Sequence, residues 1–391
     1  MRILFISYEL PPLGGGGGRA ALQIAHRLVA RGHDVTILSS LFAGLAESEE
    51  DCGVRIRRIS VRRTRADECT PIELLSFMWR SLPAARRIAD EFKPDVTCAF
   101  FGIPGGPAAL HLRNRRGIPY VVALRGSDVP RSEMAKHQRL HLITGPFLRR
   151  LYRKASGITS VSEPLKQAAL KVAPDVAIEV VPNGVDIDWF SGAADDRMSG
   201  GTLELLYVGR LKDFKGVQHL IRALPMAEEK LGRAMRLTVA GDGPYRAELE
   251  KLAAATPLRR SRVEFAGWLE REALREAYGR AALLLLPSLV EGHPNVVLEA
   301  MAMGTPCVGT DAPGIREVIV DGQDGFLTPP ADPAAIADAI ARALSDGGRW
   351  QALSRAARAR AKRFSWDAIA AQYEELLLRA AHGAKGGTCA T

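Results

Sequence analysis

Short, wholly apolar runs alternate with helical segments along most of the chain, and this alternation restricts the fold more than any other feature. Apolar runs at 2–7, 35–39, 96–101, 120–124 and 158–162 read as strands. Helical patterns at 19–31, 72–91, 108–116 and 164–172 separate them, the first closed by Gly32. A strand that is apolar on both faces must be covered on both faces. The sequence therefore predicts a parallel sheet between two helical layers. The pattern restarts after residue 200, with strands at 203–209, 235–241, 263–265, 282–287 and 307–309. Helices at 218–231, 245–255, 269–277, 297–303 and 333–344 complete the second series. With 391 residues, two domains are expected. The fold class is α/β, with two doubly wound, Rossmann-like domains. The polar stretch 191–201 reads as the hinge, giving domains at 1–190 and 191–365. A helix at 366–381 follows, and the Gly-rich tail 382–391 reads as disordered.

The five cysteines are odd in number and scattered, which argues against a disulfide framework and a zinc ribbon. The apolar start stops at Pro11-Pro12, too soon for a signal peptide, and no run approaches the ~20 residues of a bilayer span. A cytoplasmic protein is expected. The net charge is +9, and residues 1–190 carry +8 of it, with 27 Lys+Arg against 19 Asp+Glu. Such basicity suits an anionic partner: nucleic acid, anionic lipid or a phosphorylated substrate. No basic–aromatic reading surface or nucleic-acid motif accompanies it. Two segments fit a membrane surface instead. One is the arginine-dense stretch 55–65. The other places Arg149, Arg150, Arg153 and Lys154 around Phe147, Leu148, Leu151 and Tyr152. A solvated strand edge and a surface helix are the plain alternatives.

Three sites can carry chemistry. Gly14, Gly15, Gly16, Gly17 and Gly18 lie between the first strand and the helix from 19, where backbone N–H groups can receive an anion. Gly15, Gly17 and Ala20 also satisfy GxGxxG/A. The glycines stand well beyond the strand, however, and the second strand ends without a carboxylate for a ribose. Next, Gly209-Arg210 and Lys215-Gly216 follow the first strand of the second domain and offer two cations to phosphate oxygens. Finally, Glu291 and Glu299 flank the start of a helix at the carboxyl edge of that sheet. They suit hydroxyl binding or acid–base work. Asp186-Ile-Asp188 matches a D-x-D metal pattern, but it follows Pro182-Asn183-Gly184 and reads as a turn. His293 has no ligand partner in sequence. No metal is assigned.

Together these motifs resemble glycosyltransferase family 4, retaining enzymes of the GT-B fold, over nearly the whole chain. The likeness rests on Glu291…Glu299 with Leu298-Glu-Ala-Met-Ala302, on Gly209-Arg210…Lys215-Gly216, and on Pro182-Asn-Gly-Val-Asp186. Gly314-Ile-Arg-Glu-Val-Ile319 and Phe364-Ser-Trp366 follow in order. The resemblance implies two domains facing a central cleft, with the last helix returning to the first. It implies an enzyme moving a hexosyl or N-acetylhexosaminyl group from a UDP- or GDP-linked sugar to a lipid-linked or polysaccharide acceptor. The setting implied is bacterial-type cell-surface glycan synthesis at the inner face of the plasma membrane, with no cofactor beyond the nucleotide sugar. Arg210 and Lys215 would grip the diphosphate and Glu291 the transferred sugar, these three being the catalytic set. Glu299 would bind the ribose. Asn295, Val296, Val297 and Gly209 would meet the diphosphate, Trp268 the base, and Gly15, Gly16 and Gly17 the donor phosphates. Arg125 stands where many relatives have His. It would serve the acceptor side with Asp128, or form a turn pair with it. An NAD(P)-dependent oxidoreductase and a non-catalytic nucleotide-sugar-binding protein are the competing functions.

Overall fold

The computed structural model describes residues 1–66, 69–126, 138–192 and 196–385. The chain divides into two compact units: residues 1–183 with 366–391, and residues 184–365. The division falls seven residues before the expected hinge. The reason is local, because the segment after Asn183 is tied into the second unit. The Val185 amide donates to the Phe364 carbonyl, and the Phe190 ring packs edge-on against Tyr278.

The first unit is built on eight strands: β1 (Arg2–Ile6), β2 (Asp34–Leu41), β3 (Ser48–Asp51), β4 (Val54–Ser60), β5 (Val96–Phe100), β6 (Tyr120–Leu124), β7 (Gly157–Ser160) and β8 (Glu179–Val180). Their order is β3-β4-β2-β1-β5-β6-β7-β8, parallel except for the β3–β4 hairpin at the edge. Alternate residues feed two cores. Ile3 and Phe5 enter the layer that holds α1 (Gly16–Ala30) and α12 (Trp366–Lys385). Leu4 and Ile6 enter the layer of α2 (Pro71–Phe92), α3 (Gly106–Arg116), α4 (Gln138–Lys154) and α5 (Glu163–Leu170). The last helix belongs to this unit because Trp366, Ile369, Tyr373 and Leu377 complete its core. It runs to Lys385, so residues 382–385 of the expected disordered tail are helical.

The second unit has six parallel strands: β9 (Thr202–Val208), β10 (Ala234–Ala240), β11 (Arg262–Gly267), β12 (Leu283–Leu286), β13 (Cys307–Thr310) and β14 (Gly325–Thr328). Their order is β11-β10-β9-β12-β13-β14. The helices are α6 (Val217–Leu231), α7 (Arg246–Ala255), α8 (Arg271–Arg280), α9 (Asn295–Ala302), α10 (Pro333–Leu344) and α11 (Gly347–Lys362). Leu205 and Tyr207 face one core, Leu206 the other. Sequence reading missed α11 because it buries only a thin stripe, Trp350, Leu353, Ala357 and Ala361, under an arginine-rich surface. The indole of Trp350 donates to the Ala282 carbonyl, anchoring it.

One expectation about a membrane-facing segment is corrected here, and the other is narrowed. Leu148, Leu151 and Tyr152 of α4 are buried in the first unit's core, so these residues point inward and not to a membrane. The arginine-dense stretch is partly structural. β4 alternates buried and exposed residues, and the Arg58 side chain is buried against Glu49 at 2.5 Å. Arg63 donates to the carbonyls of Tyr8, Arg65 and Ala66. Among the described residues, no helix is long and apolar enough to cross a membrane.

Candidate active site

In the second unit the strand order reverses between β9 and β12, whose neighbours in sequence lie on opposite sides of the sheet. At such a switch point the loops leave the sheet in opposite directions and open a crevice at the carboxyl ends. Lys215 and Glu291 sit there. Lys215 closes a 3₁₀ turn (Asp213–Lys215) after β9, and Glu291 lies in the loop after β12. Lys215 Nζ donates to Glu291 Oε1 at 2.6 Å, with both side chains largely shielded from solvent. The Leu289 amide donates to the Phe214 carbonyl at 2.9 Å, stitching the two loops. Gly216 makes this approach possible. Its φ is +73°, and a Cβ there would stand 2.0 Å from the Pro287 carbonyl oxygen.

The other sequence-selected residues of this unit are arranged along the same edge. Gly209 and Arg210 follow β9. The Gly209 amide is held by the Ala240 carbonyl, and the Tyr207 hydroxyl donates to the Arg210 carbonyl. Arg210 itself is exposed. Burial, with Glu291 nearby, holds the Tyr207 phenol far above its ordinary pKa, so it remains a donor. Asn295, Val296 and Val297 form the first turn of α9, whose N-cap is Pro294 and carries no side-chain cap. Within that turn the Val297 amide donates to the Pro294 carbonyl at 3.1 Å, and the helix start is the end whose dipole favours an anion. Glu299 lies one turn further on, where its Oε2 accepts from the Tyr278 hydroxyl at 2.9 Å. Trp268 follows Gly267 at the end of β11 and is 74% exposed, an open aromatic face. The structure thus joins Lys215 to Glu291 directly and engages Glu299 through Tyr278, a partner the sequence did not suggest.

In the first unit the glycine loop also lies at a reversal of strand order, between β1 and β5. Its organiser is Glu9, which the sequence reading passed over. The Gly18 amide donates to Glu9 Oε1 at 3.0 Å, so a buried carboxylate already occupies the start of α1. The helix accordingly begins at Gly16, three residues before the expected position. A Cβ on Gly17 would meet the Phe101 ring at 2.4 Å, so this glycine is needed for packing. Gly15 faces open space. A pyrophosphate in the dinucleotide manner would compete with Glu9 at this helix end, which counts against the GxGxxG/A reading. The available signal was the acid itself, set between the strand and Pro11-Pro12 in an otherwise uncharged stretch.

Burial pushes the Glu9 carboxyl above the usual range, against opposing contributions from the Gly18 and Gly15 amides and from Arg63. A raised folded-state pKa favours the folded state most below the unfolded carboxyl's pKa. This contribution is lost as pH rises through the folded value. Glu9→Gln keeps an acceptor for Gly18 and removes the charge. We expect its stability relative to wild type to increase as pH rises from about 4.5 towards neutrality. A pH series of urea unfolding curves measures this, and parallel pH profiles would disprove it.

Arg125 follows β6 and is held inside the first unit. It donates to Asn183 Oδ1 and to the Tyr373 hydroxyl, each at 2.8 Å, and lies over the Phe100 ring. This favours a role in tying α12 to the sheet. Asp128, its expected companion, lies outside the described residues. Asp186 behaves as a turn residue, accepting from the Trp189 amide and pairing with Arg271. His26, Asp51 and Cys52 bring ligand atoms within 4.8 Å of one another, although sequence spacing showed no such group. His26 and Asp51 are already paired there at 3.0 Å.

Two family models match: Glycosyltransferase Family 4 over residues 14–189, and Glycosyl transferases group 1 over residues 202–346. A glycogen synthase of Mycobacterium tuberculosis (strain ATCC 25618 / H37Rv) is 29% identical over 407 residues, covering 98% of this chain and 96% of its own. Sucrose-phosphate synthase from Thermosynechococcus elongatus superposes with a TM-score of 0.78 at 24% identity, over 96% of this chain and 98% of that one. Anabaena Alr3699/HepE in complex with UDP-glucose gives 0.69 at 20% identity, over 97% and 99%. Two parallel-sheet α/β units, a switch-point crevice holding Lys215 and Glu291, and family matches in both halves lead to one conclusion: the chain belongs to the family 4, group 1 glycosyltransferases and has the GT-B fold.

Proposed function

We propose that this glycosyltransferase takes its sugar from a nucleotide diphosphate sugar, UDP- or GDP-linked, with retention of anomeric configuration. Its acceptor would be a lipid-linked or polysaccharide glycan. The observation that carries the reading is the Lys215–Glu291 pair at the β9/β12 reversal, in the loops that lead to the start of α9. Breaking a sugar–diphosphate bond builds negative charge on the leaving oxygen and oxocarbenium character on the sugar. Lys215, held by Glu291, with Arg210 and the positive end of the α9 dipole, would stabilise the first. Glu291 holds Lys215 in place and accepts from the sugar's hydroxyls. Glu299, oriented by Tyr278, accepts from the ribose hydroxyls, and Trp268 offers its open face to the base. Retention follows if the acceptor attacks from the leaving-group side and the departing phosphate takes its proton.

The neighbour bound to UDP-glucose and the relative named as a glycogen synthase both support this reading. The competing oxidoreductase lacks support because Glu9 already fills the α1 end. A screen of nucleotide diphosphates and their sugars by thermal shift tests the donor. A ligand that binds only the folded chain stabilises it by about 2.7 kcal/mol at a hundredfold excess over its Kd. No shift with any of them, or a shift with NADH alone, would refute the proposal. Tyr278→Phe should raise the donor KM severalfold while changing kcat less, since it frees Glu299 to reorient without touching the diphosphate. Initial-rate kinetics check this, and an unchanged KM would remove Tyr278 from the site.

A further inference from the structure

We propose that His26, Asp51 and Cys52 bind a thiophilic divalent cation, zinc above all, which clamps the β3–β4 hairpin onto α1. The site goes beyond sugar transfer, and metal binding is read without donor or acceptor.

Topology brings the three residues together. α1 follows the carboxyl end of β1 and runs back to the amino edge of the sheet. β4 lies parallel to β2 and starts at Val54, so the turn before it falls at the same amino edge. The end of α1 therefore meets the hairpin turn. Gly53 seats that turn closely, since a Cβ there would stand 2.8 Å from Val29 Cγ1. His26 lies three residues before Val29, on the same helix face. Its Nε2 bonds Asp51 Oδ2 at 3.0 Å, with the imidazole largely shielded and the carboxylate half exposed. The Cys52 thiol hydrogen-bonds the same carboxylate. Ligand atoms of all three lie within 4.8 Å of one another, and among the described residues no other group of His, Cys, Asp and Glu is gathered in this way.

The turn itself favours a ligand role for Cys52. Asp51 pairs with Val54 across the hairpin, which leaves a two-residue loop, Cys52–Gly53, with φ of +47° and +81°. Such a loop prefers Asn-Gly or Asp-Gly. A cysteine at the first position carries the steric cost of a left-handed conformation. In exchange, its thiol stands beside His26 and Asp51.

The donor set selects the metal. Mg²⁺ and Ca²⁺ take oxygen ligands, whereas one imidazole, one carboxylate and one thiolate suit Zn²⁺. Zinc–ligand bonds of about 2.0–2.3 Å place tetrahedral ligands roughly 3.3–3.8 Å apart. The three atoms need only small side-chain shifts to reach that spacing. On binding, the thiol gives its proton to solvent and the metal replaces the His26–Asp51 hydrogen bond. Water completes the fourth position. Arg27, the cation that faces Cys52, is engaged by Asp367 at 3.2 Å. β3 is a short edge strand exposed over most of its length, so a clamp at its turn would hold the edge closed.

The test uses the full chain, stripped of metal and kept reduced with a phosphine. Co²⁺ should give a thiolate-to-cobalt charge-transfer band and the visible bands of tetrahedral cobalt, and Zn²⁺ should abolish both. Zn²⁺ at a hundredfold excess over its Kd should raise the melting point by about 5–10 °C, and EDTA should reverse the rise. Cys52→Asn suits the turn, so its metal-free melting point should equal or exceed that of wild type. It should nevertheless show no cobalt–thiolate band, and its zinc affinity should fall at least tenfold. His26→Gln and Asp51→Asn should each weaken zinc binding at least tenfold as well. The other four cysteines remain in every variant. A band or zinc affinity that survives Cys52→Asn would place the metal elsewhere and overturn the proposal. So would a wild type without the cobalt–thiolate band, or binding that His26→Gln leaves unchanged.

Discussion

Lys215→Ala is expected to lower kcat by about 10²–10³, because on the proposed reading it removes a donor from the leaving diphosphate at the moment charge develops. Glu291→Ala should be comparably damaging on the proposed reading, in which Glu291 holds Lys215 and also faces the sugar. Stability separates this from a folding defect. The pair is largely shielded, so each single truncation orphans a charge and should cost on the order of 1–2 kcal/mol. The double variant should recover part of that cost while remaining inactive, because no unpaired charge is left behind. A double-mutant cycle with urea unfolding and single-turnover rates measures both properties. If the double variant were less stable by the plain sum, the pair would not be coupled. If either single variant turned over at the wild-type rate, the site assignment would be wrong.

The second large effect is expected at Gly216. Alanine there meets two penalties. The left-handed φ costs about 1–2 kcal/mol for a residue with a Cβ. The Cβ would also stand 2.0 Å from the Pro287 carbonyl, which is backbone and cannot rotate away. We expect a loss of about 4 kcal/mol, or roughly 8–16 °C in the melting of a unit this size. Gly232→Ala is the internal control. Gly232 has φ +63° with nothing within 4 Å of the added atom, so only the backbone penalty of about 1–2 kcal/mol applies. Similar losses at the two glycines would mean that the β9 loop yields to the Cβ. In that case the β9 and β12 loops are not locked against each other. If Gly216→Ala folds at low temperature, its transfer rate should still fall, because Lys215 precedes the displaced residue.

Much of this architecture was readable before any coordinates. Runs such as 3–6 and 283–286 are apolar on both faces, which forces a strand covered on both sides. Their alternation with helices then leaves a doubly wound unit as the compact arrangement. The polar hairpin β3–β4 and the helix α11 were missed for the opposite reason. Each buries one narrow face and shows water a charged one, so the apolar signal is diluted. Lys215 and Glu291 were singled out separately, 76 residues apart. Nothing in either stretch says that they touch.

Sequence alone determined the number and class of the units, the order of most of their elements, and the charged residues at the strand ends. Those properties depend on local periodicity and composition, which each segment carries by itself. Tertiary structure decided the rest. It joined Lys215 to Glu291 across a reversal of strand order, placed Glu9 at the start of α1, and buried Leu148, Leu151 and Tyr152 of α4 while leaving Ile72, Leu75 and Trp79 of α2 exposed. Two amphipathic helices of similar composition can be told apart only by what packs against them. Pairing and burial are relations between distant segments, so they become fixed only when the sheet brings those segments together.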